Sequence, residues 1–241
     1  MRAALFTVLF YLWTTLAGIF VLPLLLGPPR PILAYSRMWI RVSLWLLRVC
    51  VGLRHRVEGA KHIPQEPVLF AIKHQSAWDT LAINLIVRDA AIVLKRELTW
   101  IPLFGWCLVR ARQIAIDRSG GMAALRGMVS AARDALGDGR PIVIFPEGTR
   151  VAPGERLPYH AGVAALYGAL KVPVVPVALN SGHFWPRRSF KLKPGTITIT
   201  FLPPIPANLT RRDFLESVES SSETESDRLA RDADTRVSSG G

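Results

Sequence analysis

The chain opens with 25 residues, Ala3 to Gly27, that carry no charge. About 20 apolar residues suffice for a helix to cross the hydrocarbon core of a bilayer, so this run bounds the start of the fold. Pro23 weakens a helix near its end, and Pro28-Pro29 should stop it. A secretory signal would want a shorter apolar core and a small-x-small cleavage site, and neither precedes Pro28. A second apolar stretch, Leu33 to Leu53, is interrupted by Arg37, Arg41 and Arg48. At 100° per residue these three fall within about 40° of one another. A cationic stripe on an otherwise apolar helix is the pattern of an interfacial helix facing lipid phosphates. Two arrangements fit: a pair of anchoring helices, or one spanning helix followed by a core helix of a soluble domain. In both, the Arg-rich flank keeps the rest of the chain on the cytoplasmic side.

Charge points the same way. Lys and Arg number 30 against 18 Asp and Glu, for a net +12. Residues 211–241 hold five Arg and eight acids, so residues 1–210 carry about +15, and seven Arg precede the first acid, Glu58. Cations beside apolar stretches gain roughly 1 kcal/mol each near an anionic leaflet. No aromatic-studded basic strand or recognition-helix pattern speaks for nucleic acid. Cys50 and Cys107 lie in apolar contexts without metal or redox spacing and read as buried thiols.

The 241 residues allow one sizeable domain with an appendage. We divide them into membrane-associating helices over 1–54, a catalytic domain over 55–210 and a polar tail over 211–241. Within the middle segment, strands are predicted at Val68–Ile72, Ala91–Leu94, Ile114–Ile116, Ile142–Phe145, Val172–Leu179 and Ile197–Leu202. Helices are predicted at Ala77–Val87, Met122–Leu136 and Ala161–Leu170. This alternation predicts an α/β fold, a mixed, mostly parallel sheet flanked by helices and preceded by the N-terminal apolar anchor. After Pro203-Pro204-Ile205-Pro206 the chain turns Ser- and Glu-rich. Phe214, Leu215 and Val218 can seed a short surface helix, and from Ser220 onward the composition predicts disorder. Deleting residues 221–241 is therefore expected to leave activity intact.

Two segments carry chemistry. His74 follows a predicted strand, with Asp79 five residues on. In a continuous helix the two side chains would diverge by about 140°, so they meet only if His74 sits in the turn before the helix. A histidine can take a proton from an alcohol while a carboxylate fixes its tautomer. The bland alternative is a loop histidine beside a helix-start carboxylate, because Ser76-x-x-Asp79 resembles a capping box. Ser76 is a candidate nucleophile but lacks a G-x-S-x-G elbow.

The second segment is Phe145-Pro146-Glu147-Gly148-Thr149-Arg150. Its turn N–H groups, Thr149 and Arg150 can hold a phosphate, and Gly148 permits close backbone approach. Glu147 can orient Arg150 or bond a substrate hydroxyl. Arg118, held by Asp117, is a second phosphate candidate, and Lys95 a third that can also polarise a carbonyl. Each of these also reads as an ordinary turn or surface ion pair. His55, His62, His160 and His183 lack metal-ligand spacing, and no metal site is proposed.

Taken in order, these blocks resemble the 1-acyl-sn-glycerol-3-phosphate acyltransferase family. His74-x4-Asp79 matches its catalytic motif, Ile116-Asp117-Arg118 the core of its second block, Phe145 to Arg150 its third, and Val172-Pro173-Val174-Val175-Pro176 its fourth. The resemblance covers roughly residues 55–205. Lys73 stands where many members carry Asn, and Arg112 and Ala115 stand where a Gly and an aromatic are common. The resemblance implies that His74, held by Asp79, deprotonates the sn-2 hydroxyl of lysophosphatidic acid. That oxygen then attacks an acyl thioester, giving phosphatidic acid. It implies Arg118, Glu147, Gly148, Thr149, Arg150 and Lys95 as phosphate-binding residues and acyl-CoA or acyl carrier protein as co-substrate, with no bound cofactor. It also implies membrane lipid as a partner and the cytoplasmic face of a membrane, read as a bacterial inner membrane. A lyso-ornithine lipid or another lysolipid is the alternative acceptor, and a non-catalytic lipid-binding protein is the alternative class.

Overall fold

Leu69 and Ala71 point to one side of a strand and Phe70 and Ile72 to the other, and all four are buried. A strand apolar on both faces must lie inside a sheet covered on both sides. The computed structural model describes residues 2–189 and 191–238, and among them seven strands form one sheet. They are β1 (Leu53–Glu58), β2 (Leu69–Ile72), β3 (Ala91–Lys95), β4 (Ile114–Ile116), β5 (Ile142–Ile144), β6 (Val174–Leu179) and β7 (Gly195–Phe201). Their order is β1-β7-β6-β2-β5-β3-β4, parallel at every pairing except β6 with β7. The mixed, mostly parallel sheet matches the expectation from sequence.

The helices are α1 (Arg2–Phe20), α2 (Leu22–Leu25), α3 (Pro29–Val51), α4 (Ala77–Ile86), α5 (Phe104–Arg110), α6 (Gly121–Gly137), α7 (Ala161–Leu170), α8 (Ser181–Phe184) and α9 (Arg211–Ser238). One face of the sheet packs Phe70, Ile72 and Val143 against Leu47 of α3 and Trp78 and Ile83 of α4. The other packs Leu69, Ile142 and Ile144 against Met128 and Ala132 of α6, Val163 and Leu166 of α7, and Phe214 and Val218 of α9.

The short helices α5 and α8 were not predicted, and three further elements differ from expectation. β1 was not foreseen, because Arg54-His55-Arg56 gives an edge strand with exposed cationic side chains and little apolar signal. The tail from Ser220 to Ser238 is helical, not disordered, and residues 239–241 lie outside the described residues. Its inward positions are Phe214, Val218, Ser222, Ser226, Leu229 and Ala233, all buried at helical spacing. Small polar residues occupy the middle of that stripe, which hides it from a hydropathy reading. Phe214 stacks on Tyr167 with centroids 3.8 Å apart, and this fixes the helix to α7. The cationic stripe on α3 is also divided. Arg41 and Arg48 are exposed, but Arg37 is paired with Asp89 and so ties α3 to the sheet domain.

At the N-terminus, α1 folds back on α3. Tyr35 donates to the Ala17 carbonyl at 2.7 Å, and the Trp13 indole to the Trp39 carbonyl at 3.2 Å. Only Phe6 and Ala17 of α1 are buried, and the helix is long and apolar enough to cross a membrane.

Candidate active site

The sheet order assembles the site. β2, β5, β3 and β4 lie side by side and parallel, so their carboxyl ends share one edge, where ligands of open α/β sheets bind. His74 follows β2, Glu147 to Arg150 follow β5, Lys95 ends β3, and Arg118 follows β4. Segments distant in sequence thereby become neighbours.

Ser76 has extended backbone (φ −141°, ψ 162°) and caps α4. Its hydroxyl accepts from the Trp78 N–H at 3.2 Å, and the Asp79 carboxylate accepts from the Ser76 N–H at 2.8 Å, completing the capping box. The chain bends there, which leaves His74 outside the helix and brings its Nδ1 to 2.9 Å from Asp79 Oδ2. Asp79 is therefore both the cap and the partner of the histidine; the two readings of the sequence are one arrangement. Its Oδ2 also accepts from the Gln75 N–H at 2.7 Å, and its Oδ1 from the Ser181 hydroxyl at 2.5 Å. Four donors on a buried carboxylate fix its orientation. With Nδ1–H donating to Asp79, Nε2 carries the lone pair of the ring. The ring stacks on Phe145 at 4.2 Å between centroids.

The second motif is strapped to the first. The Val151 N–H donates to the His74 carbonyl at 2.8 Å, and the His160 N–H donates to the Pro146 carbonyl at 2.9 Å. Gly148 adopts φ +64°, and a Cβ there would stand 2.7 Å from the His160 ring and 3.4 Å from an Arg118 guanidinium nitrogen. Gly148, Arg118 and His160 thus converge on one spot, with Thr149 and Arg150 lining the same cleft. His160 is the residue the sequence did not offer for the site, since its place comes from tertiary contacts with Pro146 and Gly148.

Three side chains are placed otherwise than expected. Asp117 does not hold Arg118; it pairs with Arg96 at 3.1 Å and accepts from Ser119 at 2.6 Å. Lys95 lines the cleft, but its ammonium pairs with Glu97 at 2.8 Å and is half-exposed. Glu147 is wholly buried and holds neither Arg150 nor a position on the cleft wall. Its Oε1 accepts from the Lys73 ammonium at 2.7 Å and its Oε2 from the His74 N–H at 2.9 Å. Burial pushes its carboxyl above the ordinary glutamate value, against the pull of Lys73 and the His74 N–H, while the charge of Glu223 pushes it further up.

The cleft has a volume of about 1330 Å³ and runs from His74, Gly148 and His160 to Tyr11, Gly18, Tyr35 and Trp39 on the N-terminal helices. Lys95, Arg118 and Arg150 line it on the sheet domain, and largely apolar side chains of α1 and α3 line it together with the paired Arg37. Among the described residues no three His, Cys, Asp or Glu side chains group as metal ligands would.

A histidine–carboxylate pair beside a cationic corner, at the head of a cleft lined by apolar helices, defines a lipid-directed group-transfer site. Residues 54–180 match the family model described as Acyltransferase. The chain is 38% identical to the 1-acyl-sn-glycerol-3-phosphate acyltransferase of Pseudomonas aeruginosa over 83% of its own length and 80% of that protein. It is 31% identical to the Cocos nucifera protein of the same name, over 71% of this chain and 54% of that one. The crystal structure of the 1-acyl-sn-glycerophosphate acyltransferase of Thermotoga maritima superposes with a TM-score of 0.77 at 23% identity, covering 95% of this chain and 98% of that one. The chain belongs to the acyltransferase family, and within it to the 1-acyl-sn-glycerol-3-phosphate acyltransferases.

Proposed function

We propose that the protein transfers a fatty acyl group from an acyl thioester to the sn-2 hydroxyl of lysophosphatidic acid, giving phosphatidic acid. His74 Nε2 takes the hydroxyl proton as the oxygen attacks the thioester carbonyl. Asp79 holds the imidazole and offsets the positive charge it gains. When the tetrahedral intermediate collapses the C–S bond breaks, and the departing thiolate takes the proton back from His74. Arg118, Thr149 and Arg150 hold the acceptor's phosphate, with Gly148 leaving the space. His160 flanks that space. Lys95, on the cleft wall, serves the phosphate or the carbonyl oxygen. Holding both reactants against one base can supply several kcal/mol of the barrier lowering.

The observation that carries this reading is the 2.9 Å His74–Asp79 contact at the cationic head of the cleft. The acyl chain takes the apolar end between the N-terminal helices and the sheet domain. The exposed apolar surface of α1 supports a membrane location, and the Arg-rich flank supports the cytoplasmic face, as in a bacterial inner membrane. Acyl-CoA or acyl carrier protein supplies the thioester, and no bound cofactor enters the reaction as proposed.

The test is acyl transfer by wild-type and His74→Ala protein. Labelled acyl-CoA or acyl carrier protein is offered with lysophosphatidic acid or lyso-ornithine lipid. Phosphatidic acid that falls at least ~100-fold in the variant is the expected result. Product from lyso-ornithine lipid alone would move the acceptor, and no His74-dependent product would overturn the enzymatic reading.

A further inference from the structure

The catalytic loop is tied to the C-terminal helix through a buried ammonium. Lys73 precedes the base directly, and its side chain is 2% exposed. A buried ammonium demands acceptors, and this one has two: Glu147 Oε1 at 2.7 Å and Glu223 Oε1 at 2.6 Å. Glu147 is wholly buried and Glu223 6% exposed at the side chain. Glu223 lies on α9, 150 positions along the chain from Lys73. Its other oxygen is 3.7 Å from the Arg156 guanidinium. On the far side, Glu147 Oε2 accepts the backbone N–H of His74. The connection therefore runs Glu223, Lys73, Glu147, His74, each step a short polar contact out of water.

We propose that Glu223 is a positioning residue for acyl transfer: it fixes Lys73, Lys73 fixes Glu147, and Glu147 holds the backbone from which His74 reaches substrate. Three features favour this over simple adhesion of α9. The contact could have been made by apolar groups, as at Phe214 and Val218 a few residues earlier. Among the described residues, the one backbone group that Glu147 holds belongs to the base itself. Finally, two carboxylates share one ammonium, so both compete for Lys73, and Glu223 limits how far the ammonium can follow Glu147. Their combined charge reaches Tyr159, whose phenol is pushed up by burial first and then by Glu147 and Glu223. Only the kinetic part of this proposal rests on the function given above.

The experiment uses the full chain in detergent or nanodiscs. Glu223→Ala, Glu223→Gln, Lys73→Met and the Lys73→Met/Glu223→Ala double variant are compared with wild type. The readouts are kcat and KM for lysophosphatidic acid and acyl thioester, and hydrogen exchange at the His74 amide. Glu223→Ala is expected to lower kcat by about 10- to 100-fold, with KM within about threefold, because misplacing a base costs rate rather than binding. The His74 amide should exchange at least about tenfold faster, since its acceptor is loosened. Glu223→Gln retains an acceptor oxygen at the same reach and should recover part of the rate. In the Lys73→Met background, Glu223→Ala should add less than about twofold, because the route passes through Lys73.

Wild-type kcat together with unchanged His74 exchange in Glu223→Ala would overturn the proposal. So would effects of Lys73→Met and Glu223→Ala that multiply independently. If Glu223→Ala does not fold, Glu223→Met, which fills the space without an acceptor, carries both readouts by the same criteria. Should wild-type protein form no phosphatidic acid, the proposed function falls, and the exchange measurement alone still decides whether α9 holds the His74 backbone.

Discussion

Asp79 Oδ2 stands 2.9 Å from His74 Nδ1 and accepts the Gln75 and Ser76 N–H groups with the same oxygen. One carboxylate thus shapes the turn, starts α4 and orients the base. Asp79→Asn removes the charge that orients the imidazole; its amide nitrogen must turn to the Ser181 hydroxyl, which can accept, because the other position faces the Gln75 and Ser76 N–H groups. We predict a loss of kcat on the order of 10²-fold or more. A stability loss of about 1–3 kcal/mol should accompany it, because the bonds from Gln75, Ser76 and His74 lose their charge assistance. Steady-state kinetics and thermal unfolding of the same preparation check both.

Gly148→Ala tests the cationic corner. The glycine has φ +64°, and an added methyl would meet the His160 ring at 2.7 Å. Strain of this kind costs on the order of 1–3 kcal/mol. We predict that KM for the acceptor rises about tenfold or more, because His160 and Arg118 must shift to make room. An unchanged KM would separate Gly148 from acceptor binding.

Truncation after Ser220 was expected from composition to be harmless, and the structure reverses that expectation. The cut removes Ser222, Glu223, Leu229 and Ala233 from the interior. It also leaves the Lys73 ammonium one carboxylate short, and breaking a buried pair costs about 3–5 kcal/mol. A 1–220 protein should be inactive and either insoluble or strongly lowered in Tm. Wild-type activity in that protein would show that α9 is dispensable.

Glu147 should give the pH dependence of stability a definite sign. Burial holds its carboxyl above the ordinary 4.5, so the folded chain binds this proton more tightly than the unfolded chain. Its contribution is complete below about pH 4.5 and is lost as pH rises through the folded value. Glu147→Gln cannot ionise and lacks this slope. The Tm of wild type relative to Glu147→Gln should therefore fall as pH rises from about 4.5 and then level off. A relative Tm that rises over that range would contradict a raised Glu147.

Leu5, Val8, Leu12, Leu16 and Ile19 are each 43% to 64% exposed. At 100° per residue they fall within about 80° of one another. Such a stripe on α1 is apolar surface for a lipid interface. Leu12→Glu with Leu16→Glu should weaken co-sedimentation with anionic phospholipid vesicles about tenfold or more. The His74–Asp79 contact lies on other elements, so turnover of a short-chain soluble acceptor should survive. Undiminished vesicle binding would place the membrane contact elsewhere.

Local chemistry was legible from the residues in order. Ser76-x-x-Asp79 had to cap a helix, and that cap alone allows His74 to meet Asp79 across five positions. Continuous apolar runs such as Leu69–Ile72 had to lie in a covered sheet. What neighbours those segments acquire is not a local property. Glu147 was read as a ligand for substrate or Arg150, and only the placement of β5 beside β2 turns it toward Lys73 and His74. His160 gains its place from a bare glycine, and Glu223 from a helix whose buried stripe is partly serine. Short-range sterics and hydrogen bonding are written in adjacent residues. The partner of a buried charge is chosen by strand order and helix docking, which arise from burial summed over the whole chain.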